Sequence, residues 1–204
     1  MVFNHTAPEV RGELLCRQFT ARVGAAVLFA VAAFPAGSAE LTPWSEAVPP
    51  AFTLPSLGGG TITLESQPGE TVLVHFFATW CEPCREELPA LVRLATRGAP
   101  SLKVLVISVA EVDARVQRFI EPMAVRFPVL LDRDRAVAKA WRVSSLPTTF
   151  VLNGRLEPKL VVEADYLWDT IDPRQLIARA SEGDAEQQQH AITQNKEGHG
   201  NERQ

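Results

Sequence analysis

Cysteine is scarce in this sequence, and positive charge is not in excess. Three cysteines among 204 residues are too few for a disulfide-stapled scaffold. Lys and Arg number 20 against 24 Asp and Glu, which gives a formal net charge of −4 and no electrostatic reason to bind nucleic acid. With 46% hydrophobic and 22% charged residues, the composition excludes a wholly disordered or fibrous protein and indicates a globular one.

The sequence also lacks an apolar run of the ~20 residues that a bilayer-spanning helix needs. Its longest run, residues 23–34, has twelve residues (VGAAVLFAVAAF). A flank with three arginines precedes this run, and small residues follow it up to a predicted cleavage site after Ala39. Such a combination is typical of a secretory signal. We therefore expect residues 1–39 to form a signal peptide or an uncleaved signal anchor, and the protein to be periplasmic, either soluble or tethered to the inner membrane.

Between residues 40 and 180 the apolar pattern alternates between strand and helix periodicity, after an extended lead-in rich in Pro and Gly. Strands are predicted at 61–64, 71–77, 102–109, 127–131, 148–152 and 160–162. Helices are predicted at 82–97, 112–123, 134–141 and 173–180. This order predicts an α/β domain, 40–180, in which a central mixed β-sheet is flanked by helices on both faces. Residues 181–204 are mostly polar and are predicted to form a disordered tail.

Two of the cysteines, Cys81 and Cys84, are separated by two residues at the predicted start of a helix. Only the thiolate attacks a disulfide, and the free N–H groups of a first helical turn stabilise a thiolate at Cys81. Cys84, one turn further along, lies within disulfide reach. The spacing therefore predicts a redox pair in which Cys81 is the nucleophile and Cys84 the resolving thiol. Pro83, between them, removes one N–H and stiffens the turn.

Half of a zinc site is the alternative interpretation of Cys-x-x-Cys. A structural zinc usually has four ligands, and the chain has no second cysteine pair. Of the four histidines, only His75 lies outside the segments expected to be removed or disordered. Two buried structural thiols are a further alternative. We expect neither a metal nor another cofactor.

A second candidate element is the turn that contains Leu146 and Pro147, directly before a β-branched strand. A cis peptide bond is one way to accommodate a proline there. If this turn faces the cysteine pair, the backbone of Leu146 is free to pair with an extended substrate. A trans-proline loop without such a role is the alternative.

The segment 72–89, which contains Trp80-Cys81-Glu82-Pro83-Cys84, resembles the thioredoxin-fold exported oxidoreductases of the TlpA/ResA/DsbE type. Residues 127–132 (FPVLLD) and 146–150 (LPTTF) agree with that group, so that the resemblance covers about 50–180. It implies a thioredoxin fold, a Cys81–Cys84 redox centre and a cis-Pro147 facing it. It also implies reduction of disulfides in exported proteins, among them apocytochromes c, with electrons from a membrane thiol carrier.

Several residues differ from that group, or their role allows more than one interpretation. His75 stands where the group has Asp or Asn, and is a candidate proton relay because an imidazole titrates near neutrality. A core histidine bonded to a neighbouring backbone group is the alternative. Leu146 is apolar where a polar residue would face the sulfurs, and is expected to contact apolar substrate side chains. Trp80 is expected to shape the contact surface or to be structural, and Glu86 and Glu87 to lie on a solvated helix face.

The function predicted from these residues is that of an exported thiol–disulfide oxidoreductase working mainly as a reductant. A disulfide donor or isomerase uses the same chemistry in the other direction, and the sequence does not set the direction. A copper chaperone on a thioredoxin-like scaffold is a further alternative, but it pairs Cys-x-x-x-Cys with a distant histidine, whereas here two residues separate the cysteines and no downstream histidine is well placed. A thiol peroxidase would place its cysteine in a different Thr-x-x-Cys context.

Overall fold

A computed structural model describes residues 39–67, 69–182 and 184, so that the predicted signal segment and most of the predicted tail lie outside the described residues. The strands are β1 Thr42–Pro43, β2 Thr53–Pro55, β3 Thr61–Thr63, β4 Thr71–Phe77, β5 Leu102–Val109, β6 Val129–Asp132, β7 Thr148–Leu152 and β8 Pro158–Val162. The helices are α1 Glu82–Gly98, α2 Asp113–Ile120, α3 Ala136–Ala140 and α4 Pro173–Ala180. Within this part of the chain, no helix combines the length and the apolar character that crossing a membrane requires.

Six strands form one mixed sheet in the order β1-β8-β7-β4-β5-β6. β4 pairs in parallel with β5 and antiparallel with β7, and β5 pairs in parallel with β6. β2 and β3 form a separate hairpin. All seven residues of β4 are buried, as expected for a β-branched and aromatic run in the centre of a sheet. The predicted mixed sheet with a central strand at 71–77 is confirmed.

Alternate side chains of β4 enter two separate cores, because successive residues of a strand face opposite sides of its sheet. Leu73 and Phe77 belong to a core that includes residues of α1, α2 and α4. Val72, Val74 and Phe76 belong to a core that includes residues of α3 and of the β2–β3 hairpin. The predicted helices on both faces of the sheet are therefore present.

Helix α2 is shorter than predicted. It ends at Ile120, and a 3₁₀ turn with Pro122 follows over Glu121–Met123. Val112, the first residue of the helix predicted at 112–123, is instead the N-cap of α2 and is 67% exposed. The prediction was wrong there because an N-cap has extended dihedrals, which take its side chain out of the helical periodicity.

β7 and β8 form an antiparallel pair joined by the loop 153–157, which is shorter than the gap between the strands predicted at 148–152 and 160–162. The side-chain oxygen of Asn153 accepts hydrogen bonds from the backbone N–H groups of Arg155 and Glu157 (3.1 and 2.9 Å). Leu156 adopts a left-handed conformation with φ 64°. An asparagine side chain that accepts hydrogen bonds from the backbone amides of its own turn stabilises such a loop.

Candidate active site

Cys81 and Cys84 lie at the carboxyl end of the central strand β4, where helix α1 begins. A disulfide joins them, and their Cα atoms are 5.3 Å apart. Cys81 is the N-cap of α1, and its Sγ accepts a hydrogen bond from the backbone N–H of Cys84 at 3.3 Å. Cys81 is 5% exposed and Cys84 is fully buried. An incoming sulfur therefore meets Cys81 first.

The first turn of α1 favours a negative charge on the outer sulfur. An N-cap position lies against the unpaired N–H groups and the positive end of the helix dipole, which both stabilise a thiolate. The exposed carboxylate of Glu82 works against this effect, since like charges repel. It lies 3.5 Å from the guanidinium of Arg85, also exposed, so that part of its charge is offset.

The peptide bond between Leu146 and Pro147 is cis, as the resemblance implies. The last antiparallel pair of β4 and β7 joins Phe76 to Thr148, which places Pro147 and Leu146 beyond this pair, beside the end of β4. Leu146 packs against the buried cluster that includes both cysteines. The structure thus brings the proline turn to the same end of the sheet as the cysteine pair.

A groove of about 210 Å³ runs beside the cysteine turn. Trp80, which is 67% exposed, and Leu146 both line this groove. The remaining lining residues are Val109, Ala110, Arg135, Val143, Ser144 and Ser145. Trp80 was expected either to shape the contact surface or to be structural. Its exposed position fits the first expectation better.

A second depression, of about 180 Å³, is lined on one side by residues of α1, among them Pro83. Its other wall is the loop 165–170, where Leu167 is 64% exposed. Trp80 and Pro83, one residue before and two after Cys81, therefore line different depressions. Both depressions open to solvent.

His75 is completely buried in β4, and its Nδ1 lies 2.9 Å from the hydroxyl of Thr149. Burial lowers the pKa of His75 from 6.5 to about 3, since the charged ring is poorly solvated there. The expectation that this imidazole titrates near neutrality is therefore wrong. The partner is also a side-chain hydroxyl, whereas the alternative named a backbone group.

Glu87 is the site residue that the sequence prediction missed. We predicted it on a solvated helix face with Glu86, but Glu87 is only 4% exposed. One carboxylate oxygen accepts hydrogen bonds from the backbone N–H of Tyr166 and from the indole N–H of Trp168 (3.0 Å for Trp168). Desolvation raises the pKa of Glu87 from 4.5 to about 7, although these hydrogen bonds oppose the shift.

A sequence signal for the burial of Glu87 did exist. Cys84, Glu87 and Leu91 recur at helical spacing, which places them on one face of α1. All three side chains are buried. Cys84 and Glu87 are one helical turn apart in α1. The inner thiol of Cys84 therefore has a neighbour on the same helix whose carboxyl group titrates near neutrality.

Within residues 39–67, 69–182 and 184, no group of three or more His, Cys, Asp or Glu side chains is arranged to hold a metal ion. The candidate site consists of the cysteine pair, the turn with Pro147, Trp80 and the two buried titratable residues His75 and Glu87.

Known proteins match the same part of the chain. A family model described as the AhpC/TSA family matches residues 46–157. The chain is 36% identical over 119 residues to the thiol-disulfide oxidoreductase ResA of Bacillus subtilis (strain 168), which covers 58% of this chain and 65% of that protein. It is 35% identical over 107 residues to the thioredoxin-like protein YneN of the same strain, covering 51% of this chain and 62% of YneN. The chain therefore spans less than two thirds of the length of these two relatives.

A third relative, the ResA of Geobacillus kaustophilus (strain HTA426), is 32% identical over 124 residues, covering 60% of this chain and 71% of that protein. Among solved structures, a thiol:disulfide interchange protein of the thioredoxin family from Chlorobium tepidum TLS superposes with a TM-score of 0.58 at 23% identity, covering 68% of this chain and 99% of the other. StoA from Bacillus subtilis gives a TM-score of 0.53 at 25% identity, covering 66% and 98%. These findings confirm the thioredoxin fold and the resemblance to the TlpA/ResA/DsbE group.

Proposed function

The chain belongs to the AhpC/TSA family, and from that premise we propose that it is an exported thiol–disulfide oxidoreductase that reduces disulfides in periplasmic proteins. The observation that carries this proposal is the Cys81–Cys84 disulfide at the N-terminus of α1, with the outer sulfur hydrogen-bonded to the Cys84 N–H. A sulfur at this N-cap position is favoured as a thiolate, and Cys81 is the more exposed of the two cysteines. The names of the ResA relatives support the same chemistry.

The first step of the proposed reaction starts from the dithiol form. The Cys81 thiolate attacks one sulfur of a substrate disulfide, a mixed disulfide forms, and the other substrate sulfur leaves as a thiolate that takes up a proton. The free N–H groups of the first helical turn stabilise the attacking thiolate, since they point toward the N-cap position.

The second step releases the substrate. The Cys84 thiol loses its proton, and its thiolate attacks Sγ of Cys81, so that the internal disulfide forms and the second substrate thiolate leaves. Two electrons have then passed from the protein to the substrate. Glu87 is the buried group whose pKa of about 7 suits the transfer of the Cys84 proton, whereas His75, with a pKa of about 3, does not exchange a proton near neutrality.

The surroundings of the cysteines fit a protein substrate. Trp80 offers exposed aromatic area, and Leu146, which precedes cis-Pro147, lines the same groove, where an extended segment of the substrate can lie. Apocytochromes c before haem attachment are a candidate substrate. A second dithiol, such as a membrane thiol carrier, has to return the cysteine pair to its reduced form, because each turnover leaves it oxidised.

The experiment is a redox titration of residues 40–204 in glutathione buffers, together with an assay of protein-disulfide reduction. We expect a couple more reducing than the glutathione buffer and turnover with a dithiol donor. The variant Cys84→Ser should remain linked to substrates through Cys81, and Cys81→Ser, its matched control, should trap none. A strongly oxidising couple would instead favour a disulfide donor or isomerase, and absence of trapping would contradict thiol exchange.

A further inference from the structure

A second buried carboxylate, outside the proposed exchange reaction, holds the turn that leads into Cys81. Glu111 follows β5 directly and is 8% exposed. Its carboxylate accepts hydrogen bonds from the backbone N–H of Thr79 at 2.8 Å, from the hydroxyl of Thr79 at 2.5 Å and from the hydroxyl of Ser108 at 2.9 Å. These donors offset the cost of burying the charge, and hydrogen bonds to a charged acceptor are the stronger kind.

These bonds act where the sheet no longer holds the chain. The last parallel pair of β4 and β5 joins Phe77 to Ser108. Thr79, which is partly buried, lies beyond this pair, so its N–H has no partner in the β-ladder and needs another acceptor. The Glu111 carboxylate takes the place of the ladder and connects the end of β5 to the residues just before Cys81.

The backbone on the β5 side of this contact is unusual. Ala110 has φ 57°, in the left-handed region that non-glycine residues rarely adopt. Its N–H donates to the backbone carbonyl of Asp132 at 2.9 Å, which holds it in this conformation. Ala110 and Val109 line the groove together with Trp80, which follows Thr79 in sequence. The same short segment therefore forms a wall of the groove and supplies the carboxylate that holds Thr79.

We propose that Glu111 is a positioning residue: by holding Thr79 to the end of β5, it sets Trp80 against the groove wall and keeps Cys81 in its N-cap geometry. This inference rests on the proposed thiol–disulfide exchange. It differs from a purely structural role, since it predicts a change in the reactivity of Cys81. It also differs from an electrostatic role, because a nearby negative charge would disfavour the Cys81 thiolate and its removal would favour it.

Three variants separate these roles. Glu111→Ala removes all the hydrogen bonds, whereas Glu111→Gln removes the charge but keeps an oxygen for the Thr79 N–H and an amide for its hydroxyl. Thr79→Val removes only the hydroxyl contact. Glu121→Ala, a change of the same kind at an exposed residue after α2, is the matched control.

The measurement is the rate at which iodoacetamide alkylates Cys81 in the reduced protein, as a function of pH. Glu111→Ala should move the midpoint of this curve upward by about half a pH unit, which makes alkylation at pH 7 roughly threefold slower. Thr79→Val should shift it less in the same direction. Glu111→Gln and Glu121→Ala should follow the wild-type curve.

Two results would overturn the proposal. If Glu111→Ala and Glu111→Gln both move the midpoint downward, the charge of Glu111 acts on Cys81 and its position does not. If Glu111→Ala unfolds at a lower denaturant concentration but keeps the wild-type alkylation curve, the role of Glu111 is structural. If Glu111→Ala does not fold, an unchanged alkylation curve for Thr79→Val leads to the same conclusion. Failure of the wild-type protein to reduce disulfides would contradict the proposed function, and the alkylation curves would still test Glu111.

Discussion

The carboxylate of Glu87 lies 3.9 Å from Nδ1 of His75, and both side chains are buried. This pair is not an ion pair at neutral pH. Burial lowers the pKa of His75 to about 3 and raises that of Glu87 to about 7, so the ring is neutral and the carboxyl group is about half protonated. The pKa values of these two neighbouring groups are shifted in opposite directions. Variants of His75 and of Glu87 should therefore differ in how stability and activity depend on pH.

Glu87 should make the folded protein less stable as the pH rises. Its pKa is higher in the folded than in the unfolded chain, so its contribution is favourable below pH 4.5 and is lost between pH 4.5 and about 7. The shift corresponds to about 3 kcal/mol at most. In denaturant unfolding, the free energy of unfolding of Glu87→Gln minus that of the wild type should therefore increase as the pH rises from 4.5 to about 7. A difference between the two proteins that is constant with pH would contradict this.

His75 should have the opposite effect on stability in acid. Its folded pKa is depressed, so its contribution is present above pH 6.5 and is lost as the pH falls toward about 3. The variant His75→Asn should therefore lose less stability than the wild type between pH 6.5 and 4. Denaturant unfolding at several pH values measures this directly, and identical acid curves for both proteins would contradict the depressed pKa.

The same variant tests the relay role of His75. Because the ring is neutral at every pH above about 3, His75→Asn should leave the pH dependence of disulfide reduction unchanged between pH 5.5 and 8. Glu87→Gln, measured in the same assay, should change that dependence near pH 7, where Glu87 titrates. A profile that moves with His75→Asn and not with Glu87→Gln would return the relay role to the histidine.

Trp80 should contribute to the binding of protein substrates more than to the chemistry of the sulfurs. Its side chain is 67% exposed and lines the groove beside Cys81. Loss of an aromatic contact of this kind costs over ~1 kcal/mol in a binding hot spot, about fivefold in affinity. We expect Trp80→Ala to raise KM for a protein disulfide by about that factor with little change in kcat. Val48→Ala, at an exposed apolar residue outside the groove, is the control and should leave KM unchanged.

The N-cap of α4 should contribute to stability alone. The carboxylate of Asp172 accepts a hydrogen bond from the backbone N–H of Arg174 at 2.9 Å, and Pro173 occupies the first helical turn. Asp172→Ala should lower the free energy of unfolding by about 1 kcal/mol, and Asp172→Asn by less, since asparagine caps equally well. Alkylation of Cys81 should be the same in both variants. Equal stability of Asp172→Ala and wild type would show that this cap contributes nothing.

The sequence by itself predicted the features that depend on neighbours within a turn or a strand. The run 71–77 is the central strand, and the Asp172-Pro173 pair starts a helix where expected. The start of α1 beside the cysteines also agrees with the prediction. In these cases periodicity, β-branching and capping act over a few residues, so the chain carries the information locally.

Only the tertiary structure decided the ionisation of the buried groups. Glu87 is buried because Tyr166 and Trp168, about 80 residues later in the chain, fold over it and donate hydrogen bonds to it. Burial keeps the ring of His75 neutral at pH 7, and Glu111 meets Thr79 across the ends of two strands. Desolvation depends on everything that packs around a group, most of which is distant in sequence. A carboxylate with an ordinary local sequence can therefore become a group that titrates at neutral pH.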